Sequence, residues 1–311
     1  MPAQNQPSVV PPHGQHHPST AVGVASLLGA TLFWAGNYVV GAAAVATIDP
    51  VSLVLLRWLL AAGPLILIAL VTERPSWRPV LRAWPWLLGL GATGMLAYTL
   101  LLYGSLEHTS PFNASLINAF NPALIALAAA AFLRERLTPT SVLGVLLALV
   151  GVLVVLSKGD FSALMAGGFG PGELLMVAAI FVWTAYTILG RLAPPLPPVT
   201  STAAQAVVAV VLLAPVSLAL GGPAWPTQPG PLWALVFIAA CPSVLSYLLW
   251  NRALTVIRPA RAGVFLNLIT VFTAVLTMIL GQPISVAQIV GGVIVLGGVA
   301  ISNANAFRRA R

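Results

Sequence analysis

Charge is what this sequence has least of: only 6% of its 311 residues are Asp, Glu, Lys or Arg, against about 25% in soluble domains. Such a chain cannot solvate a folded surface in water, and 59% hydrophobic residues with a mean hydropathy of +0.97 point instead to a lipid-embedded protein. Cysteine is nearly absent. The single Cys241 excludes an intramolecular disulfide and any cysteine-based metal cluster, and its apolar neighbours describe an inert thiol. Lysine occurs once, as Lys158, which reflects coding composition and carries no functional content. His108 is the only histidine outside the N-terminal tail, and no HExxH pattern is present. No acid falls at the centre of an apolar run, so intramembrane catalysis by zinc or paired carboxylates lacks its residues. The sequence therefore predicts no enzyme, no cofactor and no metal site. The net charge of +8 is scattered between apolar runs and forms no stripe, which excludes a nucleic-acid-binding face. Residues 1–19 are polar and Pro-rich, without Lys or Arg, and read as a disordered tail and not a signal peptide. The HGQHHP within them could hold a metal weakly, though a bland tail suffices.

What is present is a succession of apolar runs of about 20 residues, each long enough to cross a bilayer as a helix. With Pro, Gly and charge as punctuation, ten spans are expected: 20–45, 51–72, 83–106, 111–133, 139–157, 171–191, 199–220, 231–254, 259–281 and 284–304. Ser110-Pro111 offers an N-cap followed by Pro at the first helical position, and Arg258-Pro259 plays the same part before the ninth span. With ten spans, Arg74, Arg78, Arg82, Arg134, Arg136, Arg191, Arg252, Arg258, Arg261, Arg308, Arg309 and Arg311 fall on the side holding both termini. Lys158 alone falls on the other, and Arg57 lies inside a span. That asymmetry places both termini in the cytoplasm of a bacterial inner membrane, with residues 305–311 as a basic tail.

The chain also repeats itself. FWAGNYVVG at 33–41 is echoed by FVWTAYTILG at 181–190, pairing Trp34 with Trp183 at an offset of 149 and Gly41 with Gly190. Tyr98 pairs with Tyr247 at the same offset, Pro111 with Pro259 at 148, and Gly144 and Gly151 with Gly291 and Gly298 at 147. This ordered series describes two five-helix units, 20–157 and 171–304. Because five is odd, the second unit enters the membrane from the opposite side. The expected fold is all-α, with ten transmembrane helices as two inverted repeats and a solute site near the midplane between them, as in secondary transporters.

Three segments, DPVSLVLLRWLLAAGPL, LRERLTPTSVLGVLLALVGVLVVL and LGQPISVAQIVGGVIVLGGVAI, make each half resemble an EamA repeat of the drug/metabolite transporter superfamily. The resemblance runs over roughly residues 20–305 and implies a metabolite carrier, with amino-acid export as the nearest expectation. One departure is visible: Glu135 in the first half is answered by Gln282 in the second, where the family pattern often has Glu, so a role needing an acid at both positions is in doubt.

Helical spacing puts Trp34, Asn37, Tyr38 and Gly41 on one face, and Trp183, Tyr186, Thr187 and Gly190 on its counterpart. Polar groups are costly in hydrocarbon, so these faces should turn toward a cavity or a neighbouring helix. Ser115, Asn118 and Asn121 mark the fourth span, Ser243, Ser246, Tyr247 and Trp250 the eighth, and Asn267 and Thr270 the ninth, with Tyr98 the repeat mate of Tyr247. Together they form the expected solute surface; for each one alone an interhelical hydrogen bond serves equally. Pro122 frees a backbone carbonyl at mid-span. Arg57, about 10 Å deep at 1.5 Å per residue, could receive a carboxylate or could anchor helix ends by binding carbonyls or snorkelling, and the structural role is preferred. Gly89, Gly91 and Gly94 suit either a gating bend or close packing. The glycines of the fifth and tenth spans suggest peripheral, tightly packed helices.

Acids confined to loops and helix ends disfavour proton coupling through a buried central carboxylate, so facilitated export of a neutral or zwitterionic solute with apolar surface is expected. An exporter of another drug or metabolite class, or a passive solute channel, remains the alternative. The partners implied are a small solute and the lipid bilayer; a monomer is plausible.

Overall fold

The computed structural model describes residues 20–135, 137–157, 170–257, 262–263 and 265–308, with side chains as far as 302. The N-terminal tail with HGQHHP lies outside these residues. So do Arg136, Lys158, Asp160, Arg258, Pro259, Arg261, Arg309 and Arg311 of the charge and cap assignments.

Among the described residues every regular element is a helix. Eight are long and apolar enough to cross a membrane: α1 (Thr20–Val45), α2 (Pro50–Thr72), α3 (Trp84–Leu106), α4 (Pro111–Leu133), α5 (Pro139–Leu156), α6 (Pro171–Leu192), α7 (Pro198–Ala219) and α8 (Pro229–Leu254). Two shorter apolar helices follow, α9 (Leu268–Ile279) and α10 (Val286–Ser302). The starts obey local chemistry. Asp49, Ser110 and Thr138 each accept the N–H three residues on, at 2.9, 3.2 and 3.2 Å, ahead of Pro50, Pro111 and Pro139 at the first helical position.

The interiors depart from smooth helices in three places that shape the site. α4 is broken into Pro111–Asn118 and Asn121–Leu133, because Pro122 has no N–H to give the carbonyl of Asn118 and its ring cannot sit in a continuing helix. α3 and α8 each contain a π-helical stretch, Gly91–Ala97 and Cys241–Leu245. Such widened turns misalign backbone carbonyls, which must find other donors away from water. Two indoles supply them: Trp58 Nε1 donates to Met95 O at 2.8 Å and Trp34 Nε1 to Pro242 O at 3.2 Å. In α8, Pro242 also leaves Ile238 O without its backbone donor, and Ser243 Oγ donates to it at 2.6 Å.

The ninth span is interrupted: residues 262, 263 and 265 are helical, Leu266 and Asn267 form a turn, and α9 runs on from Leu268. α5 and α10 pack closely and antiparallel. A Cβ on Gly151 would lie 2.7 Å from Gly291 O, and one on Gly291 would lie 2.8 Å from Gly151 O. Gly144 meets Gly298 in the same way, so these glycines are required by backbone proximity. Around the cavity, α2 lies along α7, and α1 lies among α8, α9 and the broken α4.

Candidate functional site

A cavity of about 600 Å³ runs into the bundle from one end, within the usual size for small-molecule sites. Its mouth is framed by Ala83 and Trp86 at the start of α3, by the α6–α7 loop from Ala193 to Pro198, and by Asn251 on α8. Its inner wall reaches Asn37, Arg57 and Asn118.

Most residues singled out in the sequence meet there. Trp34, Asn37 and Tyr38 line it from α1, Tyr98 from α3, Asn118, Asn121 and Pro122 from α4, and Trp183, Tyr186, Thr187 and Gly190 from α6. Tyr247 and Trp250 line it from α8, and Asn267 just ahead of α9. Trp34 sits edge-on to Tyr247, with ring centres 5.8 Å apart, and against Trp250 at 5.6 Å. Trp183 contacts Tyr98 at 4.7 Å and Tyr186 at 4.9 Å. The aromatic surface is thus shared between α1 with α8 and α6 with α3.

Other expectations are redirected. Ser115, Ser243 and Ser246 are fully buried and off the cavity. Ser115 donates to Phe112 O at 2.8 Å and Ser246 to Ala30 O at 3.1 Å, so these hydroxyls satisfy carbonyls at helix contacts. Thr270 likewise donates to Ser115 O at 3.0 Å. Gly41 faces the ring of Tyr103, which a Cβ would approach to 2.8 Å, and not the cavity. Gly91 and Gly94 admit Val208 with the backbone of Gln205 and the ring of Tyr186, whereas Gly89 meets only an ordinary contact. Close packing therefore accounts for Gly91 and Gly94, within the π-helical stretch.

Among the described residues Arg57 neither snorkels nor binds helix-end carbonyls. It is 4% exposed, donates from Nε to Ser243 Oγ at 2.8 Å and from Nη1 to the Tyr103 hydroxyl at 2.7 Å. Tyr103 in turn donates to Asn37 Oδ1 at 2.8 Å. The rings of Trp58 and Tyr103 lie 4.8 and 5.7 Å from the guanidinium carbon, close enough for cation–π attraction. Nearby, the hydroxyls of Tyr38 and Tyr98 share a hydrogen bond at 3.4 Å.

Gln205 of α7 escaped notice in the sequence although it is the only amide in its span. It is 4% exposed, lines the cavity, and donates to Ser201 Oγ at 2.9 Å, while its Oε1 has no partner among the described residues. Asn118 Oδ1 is buried too, and has no partner among the described residues. Tyr103 was also missed, because a single tyrosine near a helix end reads as an interface residue.

Both ends of the bundle are tied across the two halves of the chain. At the mouth end, Glu73 accepts the N–H groups of Val199 and Thr200 at 2.9 and 2.7 Å, capping α7, and Glu135 pairs with Arg191. At the far end, Glu173 is 5% exposed despite its place in the first turn of α6, and accepts from Thr109 Oγ1 at 2.9 Å and Asn113 Nδ2 at 3.1 Å.

Membrane-length helices around a solute-sized, aromatic and amide-lined cavity define a membrane transporter, and the described residues gather no group of His, Cys, Asp and Glu able to hold a metal. The chain belongs to the EamA-like transporter family, whose pattern matches residues 21–157 and 170–304. It is 31% identical over 276 residues to the uncharacterized transporter YyaM of Bacillus subtilis, covering 88% of this chain and 90% of that one. It is 28% identical over 235 residues to the aromatic amino acid exporter YddG of Ancylobacter novellus, covering 72% and 78% of the two chains. To a probable terminal-alkyne amino-acid exporter of Streptantibioticus cattleyicolor it is 27% identical over 237 residues, 75% and 78%. A crystal structure at 22% identity superposes with a TM-score of 0.65 over 94% of this chain and all of that one, a likeness of fold. The protein is a multi-pass membrane transporter.

Proposed function

We propose that this transporter is a secondary carrier that exports small neutral or zwitterionic metabolites, amino acids foremost, by alternating access as a facilitator. In this reading it spans the bacterial inner membrane ten times, as inverted repeats 20–157 and 171–304, with both termini cytoplasmic and residues 1–19 and 305–311 as tails.

The observation that carries it is an exchange of contacts. Under the repeat relation Trp34 becomes Trp183 and Tyr247 becomes Tyr98, so the contact Trp34–Tyr247 maps onto Trp183–Tyr98, and both are present. In the same way Gly144–Gly298 maps onto Gly291–Gly151. The π-helical stretches start 150 residues apart at Gly91 and Cys241, and the in-helix prolines Pro64 and Pro215 lie 151 apart in α2 and α7. Contacts that swap in this way are what a two-fold axis between inverted halves produces, and such an axis makes a state open to the other end a near equivalent of the one seen. The cavity mouth lies at the end carrying Arg74, Arg82, Arg134, Arg191 and Arg252, which the positive-inside rule assigns to the cytoplasm. Closure at the far end favours a carrier over an open pore.

The amino-acid assignment draws on the aromatic and amide lining and on the names of two relatives at under 30% identity. Counterflow in proteoliposomes tests it. Labelled neutral amino acid should accumulate transiently and saturably against a preloaded unlabelled pool. Linear, unsaturable flux would mean a channel, and flux equal to empty vesicles for every neutral amino acid would refute the substrate class.

A further inference from the structure

The cavity holds a charge that its protein surroundings leave unbalanced. Arg57 is 4% exposed and lines the cavity, yet no carboxylate among the described residues meets it; the ion pair found there joins Arg191 to Glu135. Taking a guanidinium out of water is costly unless an anion or a full set of acceptors receives it. Here Nε and Nη1 are given to neutral hydroxyls, those of Ser243 and Tyr103, and Nη2 makes no hydrogen bond among the described residues. The rings of Trp58 and Tyr103 hold the guanidinium plane without neutralising it. A planar fork fixed in this way is the geometry that receives a carboxylate.

A second imbalance lies at the same depth. Arg57 and Asn118 each stand seven residues inside the proline that opens their helix, Pro50 and Pro111. Both prolines lie at the end of the bundle away from the mouth, which puts both side chains about 10 Å inside. Asn118 lines the cavity, its Oδ1 has no donor among the described residues, and rotation of its amide, which no side-chain hydrogen bond among those residues opposes, turns that oxygen toward the cavity. A cation lacking an anion and an acceptor lacking a donor, at one level of one cavity, complement a molecule carrying a carboxylate and an ammonium group.

We infer that Arg57 seats the carboxylate of the transported solute and Asn118 accepts from its ammonium group, with an aromatic or large apolar side chain lying among Trp34, Tyr98, Trp183 and Tyr247. The solute class is then the free α-amino acids, a specification that rests on the carrier reading above. Esters and amides of the α-carboxyl are disfavoured because they leave the guanidinium unpaired.

Competition against counterflow of labelled L-phenylalanine in proteoliposomes containing the full chain tests this. L-Phenylalaninamide, lacking the carboxylate, and 3-phenylpropanoate, lacking the ammonium, should each compete at least about tenfold more weakly than L-phenylalanine. Arg57→Gln should remove the discrimination against the amide while keeping that against 3-phenylpropanoate, and Asn118→Ala should do the reverse. Equal competition by the amide and the free acid on the unaltered protein overturns the Arg57 assignment and leaves the carrier reading standing; that comparison needs no variant to fold. Failure of the unaltered protein to move any free amino acid, while it moves another metabolite, overturns the amino-acid reading and this inference together.

Discussion

The guanidinium of Arg57 donates to the hydroxyl of Ser243 at 2.8 Å, joining α2 to α8 across 186 residues of chain. Ser243 can accept that bond because its own hydrogen goes to Ile238 O, the carbonyl that Pro242 leaves without a backbone donor. A proline in one half thus helps fix a cation in the other.

Ser243→Ala removes both bonds and strands a buried carbonyl and a buried charge. The expected loss is about 1–3 kcal/mol of stability, read as a lower midpoint of thermal unfolding in detergent. A midpoint unchanged from that of the unaltered protein would show that water or a rotated Arg57 replaces the hydroxyl.

The α5–α10 contact has no room for a side chain, since a Cβ on Gly151 would stand 2.7 Å from Gly291 O. Gly151→Ala should therefore destabilise the protein by about 1–3 kcal/mol. Gly297→Ala, on the same helix as Gly291 but with nothing within 4 Å, should be neutral or slightly stabilising. Transport per folded molecule should survive both, measured as counterflow normalised to the monodisperse fraction.

Asn267 lines the cavity and its side chain makes no hydrogen bond among the described residues. Asn267→Ala should leave the unfolding midpoint in place and raise the apparent KM for solute by about threefold to tenfold, the effect of losing roughly 1 kcal/mol. A fall in folded yield with KM unchanged would return Asn267 to a packing role.

Alternating access requires the far end to part. A Cβ on Gly172 would lie 2.9 Å from Thr109 Cβ and equally close to Ser105 O and His108 C, so cysteines at both positions reach the Cβ spacing of a disulfide, about 3.8 Å, once the start of α6 moves back from that backbone. The pair Thr109→Cys with Gly172→Cys should cross-link on mild oxidation and lose counterflow, which reductant restores. Unimpaired transport by the cross-linked form would show that this end does not open.

Much of the cavity was legible in the sequence because burial of polar and aromatic groups in an apolar helix has few explanations. Trp34, Asn37, Tyr98, Asn118, Trp183 and Tyr247 were found by helical spacing and repetition alone. The serines misled because the same spacing describes a helix–helix contact, where a hydroxyl satisfies a carbonyl, as Ser115 and Ser246 do. Gln205 was overlooked for the opposite reason, one amide among alanines and valines making no periodic stripe.

Scarcity of charge and the length of the apolar runs by themselves determined a helical membrane protein, since hydrocarbon admits few alternatives to helices whose backbone is internally bonded, and the repeated segments pointed to transport. Tertiary structure alone decided which polar atoms are paired. Sequence shows that Arg57 and Glu173 are charged, but only packing reveals that Glu173 is buried among hydroxyl and amide donors, while Arg57 faces a cavity with neutral partners. The physical reason is that desolvation and hydrogen bonding depend on distances of a few ångströms between segments far apart in the chain, and no local pattern encodes those distances.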